Sequence, residues 1–196
     1  MVNTYLLKDL LAIENVRNPA KIRSLLKLIA HQSGKEVSLE ELGRQLGMGK
    51  NTVERYLDLR SKIFVIYKRT GYSSNLRKEI VKNNRWYFFD NGVRNAVISN
   101  FSPLGMRQDV GILWENYLMA ERLKKNTYNQ RFVNNYFWRT YDGQEIDLIE
   151  EEDGKIAGYG CKWGTQKAKH PVAFQKAYPE AVFKVINPEN YVEWIS

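Results

Sequence analysis

The chain has 196 residues, of which 43% are hydrophobic, 27% charged and 13% aromatic, and its formal net charge is +8. Such a composition suits one large or two modest hydrophobic cores and excludes a disordered, collagenous or fibrous chain. Its longest apolar runs, such as Ile63 to Tyr67, fall far short of the roughly 18 residues of a membrane-spanning helix.

The N-terminal stretch Met1 to Leu11 carries Lys8 and Asp9 within its apolar part and so does not read as a signal peptide. A single cysteine, Cys161, cannot form an internal disulfide, and a reducing, cytoplasmic location is expected. The charge is uneven. Residues 1–100 hold 18 Lys and Arg against 9 Asp and Glu (+9), whereas residues 101–196 hold 12 against 13 (−1). A basic first half points to a polyanion, or an acidic protein surface, as its partner.

In chain order, Tyr5, Leu6, Leu10 and Ile13 line one stripe of an amphipathic helix over Asn3–Ile13. Asn18-Pro19 starts a second helix whose buried face is Ile22, Leu25, Leu26 and Ile29, ending near Gly34. Ser38-Leu39-Glu40-Glu41 is a capping box for a helix that runs through Leu46 and stops at Gly47. After a tight turn, Asn51 is expected to cap another helix with Val53, Tyr56, Leu57 and Leu59 inward. Lys50, Asn51, Thr52, Glu54, Arg55 and Asp58 would then face out. Two β-rich runs, Ile63–Arg69 and Trp86–Phe89, flank a basic, turn-rich stretch.

This order is that of a winged helix-turn-helix over residues 1–91. In such a DNA reader Lys50, Asn51, Thr52 and Arg55 would approach bases, and Arg69, Arg77, Lys78 and Lys82 would hold the backbone. The Gly47-Met48-Gly49-Lys50 run is not a phosphate-binding loop, because Arg44 and Asn51 stand where that motif needs glycine and Ser or Thr.

Residues 92–196 read as an α/β sheet domain. A short helix spans Val93–Ile98. A longer one spans Asp109–Lys125 with Ile112, Leu113, Tyr117, Ala120 and Leu123 inward. Strands follow at Phe132–Thr140, Glu145–Glu151 and Lys155–Trp163, with turns at Tyr141-Asp142-Gly143 and Asp153-Gly154. A helix at Val172–Ala177 and a strand at Ala181–Ile186 complete the chain. By period-two alternation Glu145, Asp147 and Ile149 share one face, and Gly160 and Lys162 share a face opposite Cys161. Carboxylates beside a lysine on the next strand can hold Mg²⁺ and activate water, or can simply form a cross-strand ion pair.

The series Asn75–Ile80, Tyr87–Gly92, Arg107, Asp109, Gly111, Leu113–Asn116, Phe137–Thr140 and Glu145–Asp147 resembles the C-terminal region of bacterial and archaeal AAA-type ATP-binding proteins. That resemblance implies an α+β chain, a winged helix followed by a domain similar to PD-(D/E)XK nucleases, joined in the parent protein to an ATPase module that is absent here. It implies a vestigial nuclease-like site of Glu115, Asp147 (also the metal-binding residue) and Lys162, with the second glutamate of the motif replaced by Gly160. Glu145 is a partial substitute.

The reading preferred is a non-catalytic binding and regulatory region with no cofactor, whose partners are DNA and the ATPase module. One alternative is a divergent nuclease using Mg²⁺ or Mn²⁺. The other is a protein-interaction module in which the aromatic segment Tyr128–Trp138 is a partner or self-association surface, against the plainer reading of that segment as a buried strand.

Overall fold

The computed structural model describes residues 19–73, 83–140, 143–164 and 171–196. The first expected helix, Arg77, Lys78, Lys82, the Asn75–Ile80 run and the Tyr141-Asp142 turn residues lie outside the described residues. Among those described, the fold is mixed α+β, with seven α-helices and seven strands. It divides into two compact units, Met1–Lys68 with Asn83–Gln108, and Arg69–Lys82 with Asp109–Ser196.

The first unit contains α1 (Pro19–His31), β1 (Glu36–Val37), α2 (Leu39–Leu46), α3 (Lys50–Lys62), the start of β2 (Ile66–Gly71), β3 (Asn84–Phe88), α4 (Asn91–Ile98) and a 3-10 turn at Leu104–Met106. Its strand order is β1-β3-β2, and β1 pairs antiparallel with β3. Ile22, Leu25, Leu26 and Ile29 of α1 pack with Leu42, Val53, Leu57, Trp86 and Phe88 in one core. The capping box forms as expected, with the Ser38 hydroxyl accepting from the Glu41 N–H. Gly47 ends α2 at φ 58°, the left-handed region that glycine enters without a Cβ clash. The cap of α3 is Gly49 rather than Asn51, because the helix begins two residues earlier, at Lys50.

This unit extends beyond residue 91. The Arg94 guanidinium on α4 is buried and donates to the Ala30 carbonyl in the last turn of α1, satisfying an acceptor the helix end leaves open. Arg107 in turn donates to Asn100 and Asn95.

In the second unit the strand order is β2-β4-β5-β6-β7, with β4 (Asn134–Arg139), β5 (Glu145–Glu152), β6 (Lys155–Cys161) and β7 (Val182–Ile186). The β4-β5-β6 ladders are antiparallel, whereas β2 pairs with β4 and β6 with β7 in parallel. Helix α5 (Val110–Tyr128), α6 (Val172–Ala177) and a short C-terminal α7 (Tyr191–Ile195) complete it. Leu113 and Ala120 of α5 are buried as expected, but Ile112, Tyr117 and Leu123 are only half-buried, and Asn116, Arg122 and Asn126 go inside. Apolar periodicity misplaces this stripe because the helix buries polar groups against a polar partner, Glu150. No helix among the described residues is long and apolar enough to cross a membrane.

Candidate functional site

Strand β5 contains a bulge that reorders its faces. Tyr136 pairs with Ile149 and Trp138 with Ile146, so two steps along β4 match three along β5. One extra residue of β5 is accommodated between Ile146 and Ile149. Ile146 and Ile149 consequently join one apolar cluster with Trp138, Phe174 and Ala181. The expected alternation, with Ile146 opposite Ile149, is therefore overturned.

Asp147 lies within the bulge and is buried. Its Oδ2 accepts a 2.7 Å hydrogen bond from the Cys161 backbone N–H on β6. Cys161 itself is buried. Burial pushes its thiol well above its ordinary value, and the Asp147 and Glu115 carboxylates push further, while Arg69 and Lys162 pull the other way. Four charged side chains foreseen from sequence thus act on one buried thiol. Asp147 is buried, Glu115 on α5 half-buried and Lys162 exposed just past the end of β6.

Gly160 does not occupy the position foreseen for it. A Cβ built there would meet the Phe183 ring at 3.3 Å, and Phe183 packs on the Trp138, Ile146 and Phe174 cluster. A carboxylate at 160 would therefore enter an apolar layer rather than join Asp147. The adjacent residue, Cys161, is the one whose backbone N–H meets the Asp147 carboxylate. Among the described residues no group of three or more His, Cys, Asp or Glu could hold a metal ion.

Arg69 also departs from the expectation. Its side chain is buried and its guanidinium lies against the Met119 sulfur of α5, so it offers no surface contact to a phosphate.

A polar network that the sequence pattern did not reveal organises the same unit. Arg122 grips Glu150 with two hydrogen bonds of 2.8 and 2.6 Å, and its third goes to the Trp194 carbonyl at 2.7 Å. Asn126 donates to the same carboxylate at 2.7 Å. The Tyr159 and Trp194 ring centroids lie 5.7 and 5.0 Å from the guanidinium carbon. Lys125 donates to the Glu193 and Trp194 carbonyls, so two cations of α5 hold the C-terminal end of α7. A Glu-to-Arg pair across 28 residues leaves no local signature, and only the tertiary contact exposes it.

In the first unit, the outer face of α3 stands clear of the core, while Val53 and Tyr56 on its inner face are buried. Lys50, Asn51, Glu54, Arg55 and Asp58 are exposed, and Thr52 is half-buried. Lys50 makes a 3.6 Å ion pair with exposed Glu40, a contact that solvent screens heavily. The turn before α3 is tightly packed. The Met48 N–H donates to the Gly43 carbonyl at 2.8 Å, and a Cβ on Gly43 would stand 2.5 Å from the Met48 carbonyl oxygen.

A family model described as a domain of unknown function, DUF8612, matches residues 1–104, over half the chain. The chain belongs to the DUF8612 family. Beyond the DUF8612 part, a second model, the domain of unknown function DUF4143, matches residues 110–195. The junction between the two matches falls where Gln108 gives way to Asp109 in the division of the fold, not at 91/92, in line with the Arg94 and Arg107 contacts. The DUF8612 chain is 27% identical over 164 residues to the uncharacterized proteins Mb2031c of Mycobacterium bovis and Rv2008c of Mycobacterium tuberculosis. The match covers 82% of this chain and 36% of each relative, so the chain spans about a third of their length. No solved structure matches it.

Proposed function

We propose that this DUF8612 and DUF4143 chain is a non-catalytic binding and regulatory region of an AAA-type ATPase, with the first unit a winged helix-turn-helix that contacts DNA. The observation that carries the reading is the face of α3 formed by exposed Lys50, Asn51 and Arg55 with half-buried Thr52, presented by a tight turn on a unit whose half of the sequence holds +9. Helices of this kind place their N-terminal residues in the major groove, where Asn and Arg read base edges and Lys meets phosphate. Arg23, Lys27, Lys35 and Arg44 add exposed positive charge on the same unit.

The second unit is read as a PD-(D/E)XK-like scaffold whose acidic pair has a structural task. Asp147 ties β5 to β6 through the hydrogen bond it accepts from the Cys161 N–H. Its partner in this reading is the ATPase module, for which the relatives, each nearly three times the matched length, have room.

Duplex DNA binding measured by fluorescence anisotropy over a salt series tests the proposal. Affinity should fall linearly with log salt, and Arg55→Ala should weaken binding and reduce the slope by about one. Absence of affinity at low salt, or affinity without a slope, would leave α3 as a protein-docking face instead.

A further inference from the structure

We infer that α1 forms a second face of the DNA contact, one that grips phosphates through Arg23 and Lys27 without reading bases, an inference that rests on the DNA reading of α3. Residues 19–35 carry Lys21, Arg23, Lys27 and Lys35 and no Asp or Glu. Within α1, Arg23, Lys27 and His31 recur every four residues, so they form one ridge, and all three are exposed. Arg23 and Lys27 make no ion pair among the described residues. Helix α3 offers less to a polyanion. Its exposed Lys50, Arg55 and Lys62 stand against exposed Glu54 and Asp58, a net of +1, and Lys50 is already beside Glu40. Outward carboxylates repel the backbone, so α3 suits base edges and leaves the phosphates to another element.

The ridge begins next to the reading face. Lys21, on the flank of α1, donates a 2.6 Å hydrogen bond to the Gly47 carbonyl in the turn ahead of α3, and Arg23 stands in the same helical turn as Lys21. From Arg23 to His31 the ridge runs about 12 Å, at about 1.5 Å per residue. Duplex DNA carries one charge per about 1.7 Å of its axis, so a continuous backbone meets the whole row. An acidic protein would need an apolar anchor at the centre of its interface. The other exposed residues of α1 are Pro19, Ala20 and Ser24, which provide none.

Fluorescence anisotropy of the full chain with a mixed-sequence duplex, and separately with poly-glutamate, over a salt series tests this. Replacing the pair by Arg23→Gln and Lys27→Gln should lower low-salt affinity for the duplex and reduce the slope of log affinity against log salt by about 1.8, two contacts at about 0.9 each. The charge-keeping pair Arg23→Lys and Lys27→Arg should retain the slope, and melting curves should be unchanged, since both side chains are exposed. A control pair, Lys62→Gln and Lys68→Gln, removes the same charge from exposed sites of the same unit outside α1 and should leave most of the slope. An unaltered chain with no duplex affinity at low salt would overturn the DNA reading and this inference together. Duplex binding with a slope that the α1 pair leaves unchanged, or that the control pair reduces equally, would overturn the inference alone. So would loss of poly-glutamate binding with duplex binding intact, which would make α1 a face for an acidic protein.

Discussion

The Asp147 carboxylate accepts a 2.7 Å hydrogen bond from the Cys161 backbone N–H, so the acidic residue that sequence suggested as a metal ligand is committed to holding two strands together. Asp147→Ala leaves that buried N–H without this acceptor and should destabilise the second unit by about 1–3 kcal/mol in urea unfolding. Plasmid incubated with Mg²⁺ or Mn²⁺ should remain intact with wild type and variant alike. Metal-dependent cleavage abolished by Asp147→Ala would instead revive the nuclease reading.

Restoring the carboxylate at position 160 sharpens the same point. If glycine there were merely a lost ligand, Gly160→Glu would create Mg²⁺ or Mn²⁺ affinity detectable by calorimetry. Since a Cβ at 160 meets the Phe183 ring at 3.3 Å, the variant should bind neither metal and should lose about 1–3 kcal/mol of stability through overpacking.

Arg122 and Glu150 form a buried, bidentate ion pair, with side chains only 8% and 5% exposed. Deleting one partner strands the other charge. Arg122→Leu should cost about 3–5 kcal/mol, whereas the double variant with Glu150→Leu should recover most of the loss. Chemical denaturation of the two single variants and the double variant completes the cycle. Additive losses would show that the pair is not coupled.

Stability should also decline in alkali through Tyr159. Burial raises this phenol above its ordinary value near 10, and the Glu150 charge adds to the effect. The folded state therefore keeps the proton that the unfolded chain releases. The contribution is complete below the unfolded value and is lost as pH rises through the folded one. Tyr117 and Cys161 shift in the same direction and Lys125 in the opposite one, so the readout is the difference between proteins. Tyr159→Phe should flatten the decline in melting temperature above pH 10 relative to wild type.

The turn that presents α3 tolerates no side chain at Gly43, where a Cβ would lie 2.5 Å from the Met48 carbonyl oxygen. The neighbour is backbone and cannot rotate away. Gly43→Ala should lower the stability of the first unit by about 2 kcal/mol or more and weaken DNA binding with it, whereas Gly49→Ala, with open space around its Cβ position, should do neither. Equal melting curves for the two variants would contradict this.

Sequence alone determined most of the local structure. The Ser38 capping box, the Gly47 stop and the apolar stripe of α1 act over a few residues, and each appeared within a residue or two of its expected place. The two-residue strand β1 and the helix α7 escaped, since neither is long enough to set up a period. Tertiary structure decided which way the site residues face. Strand alternation assigns faces only while the register holds, and a single extra residue in β5 placed Ile146 and Ile149 together and moved the acidic environment to Cys161 rather than Gly160. It also decided that Arg69 is buried and that Arg122 meets Glu150, because a charge can be enclosed only where the fold supplies its partner, and that partner lies far away along the chain.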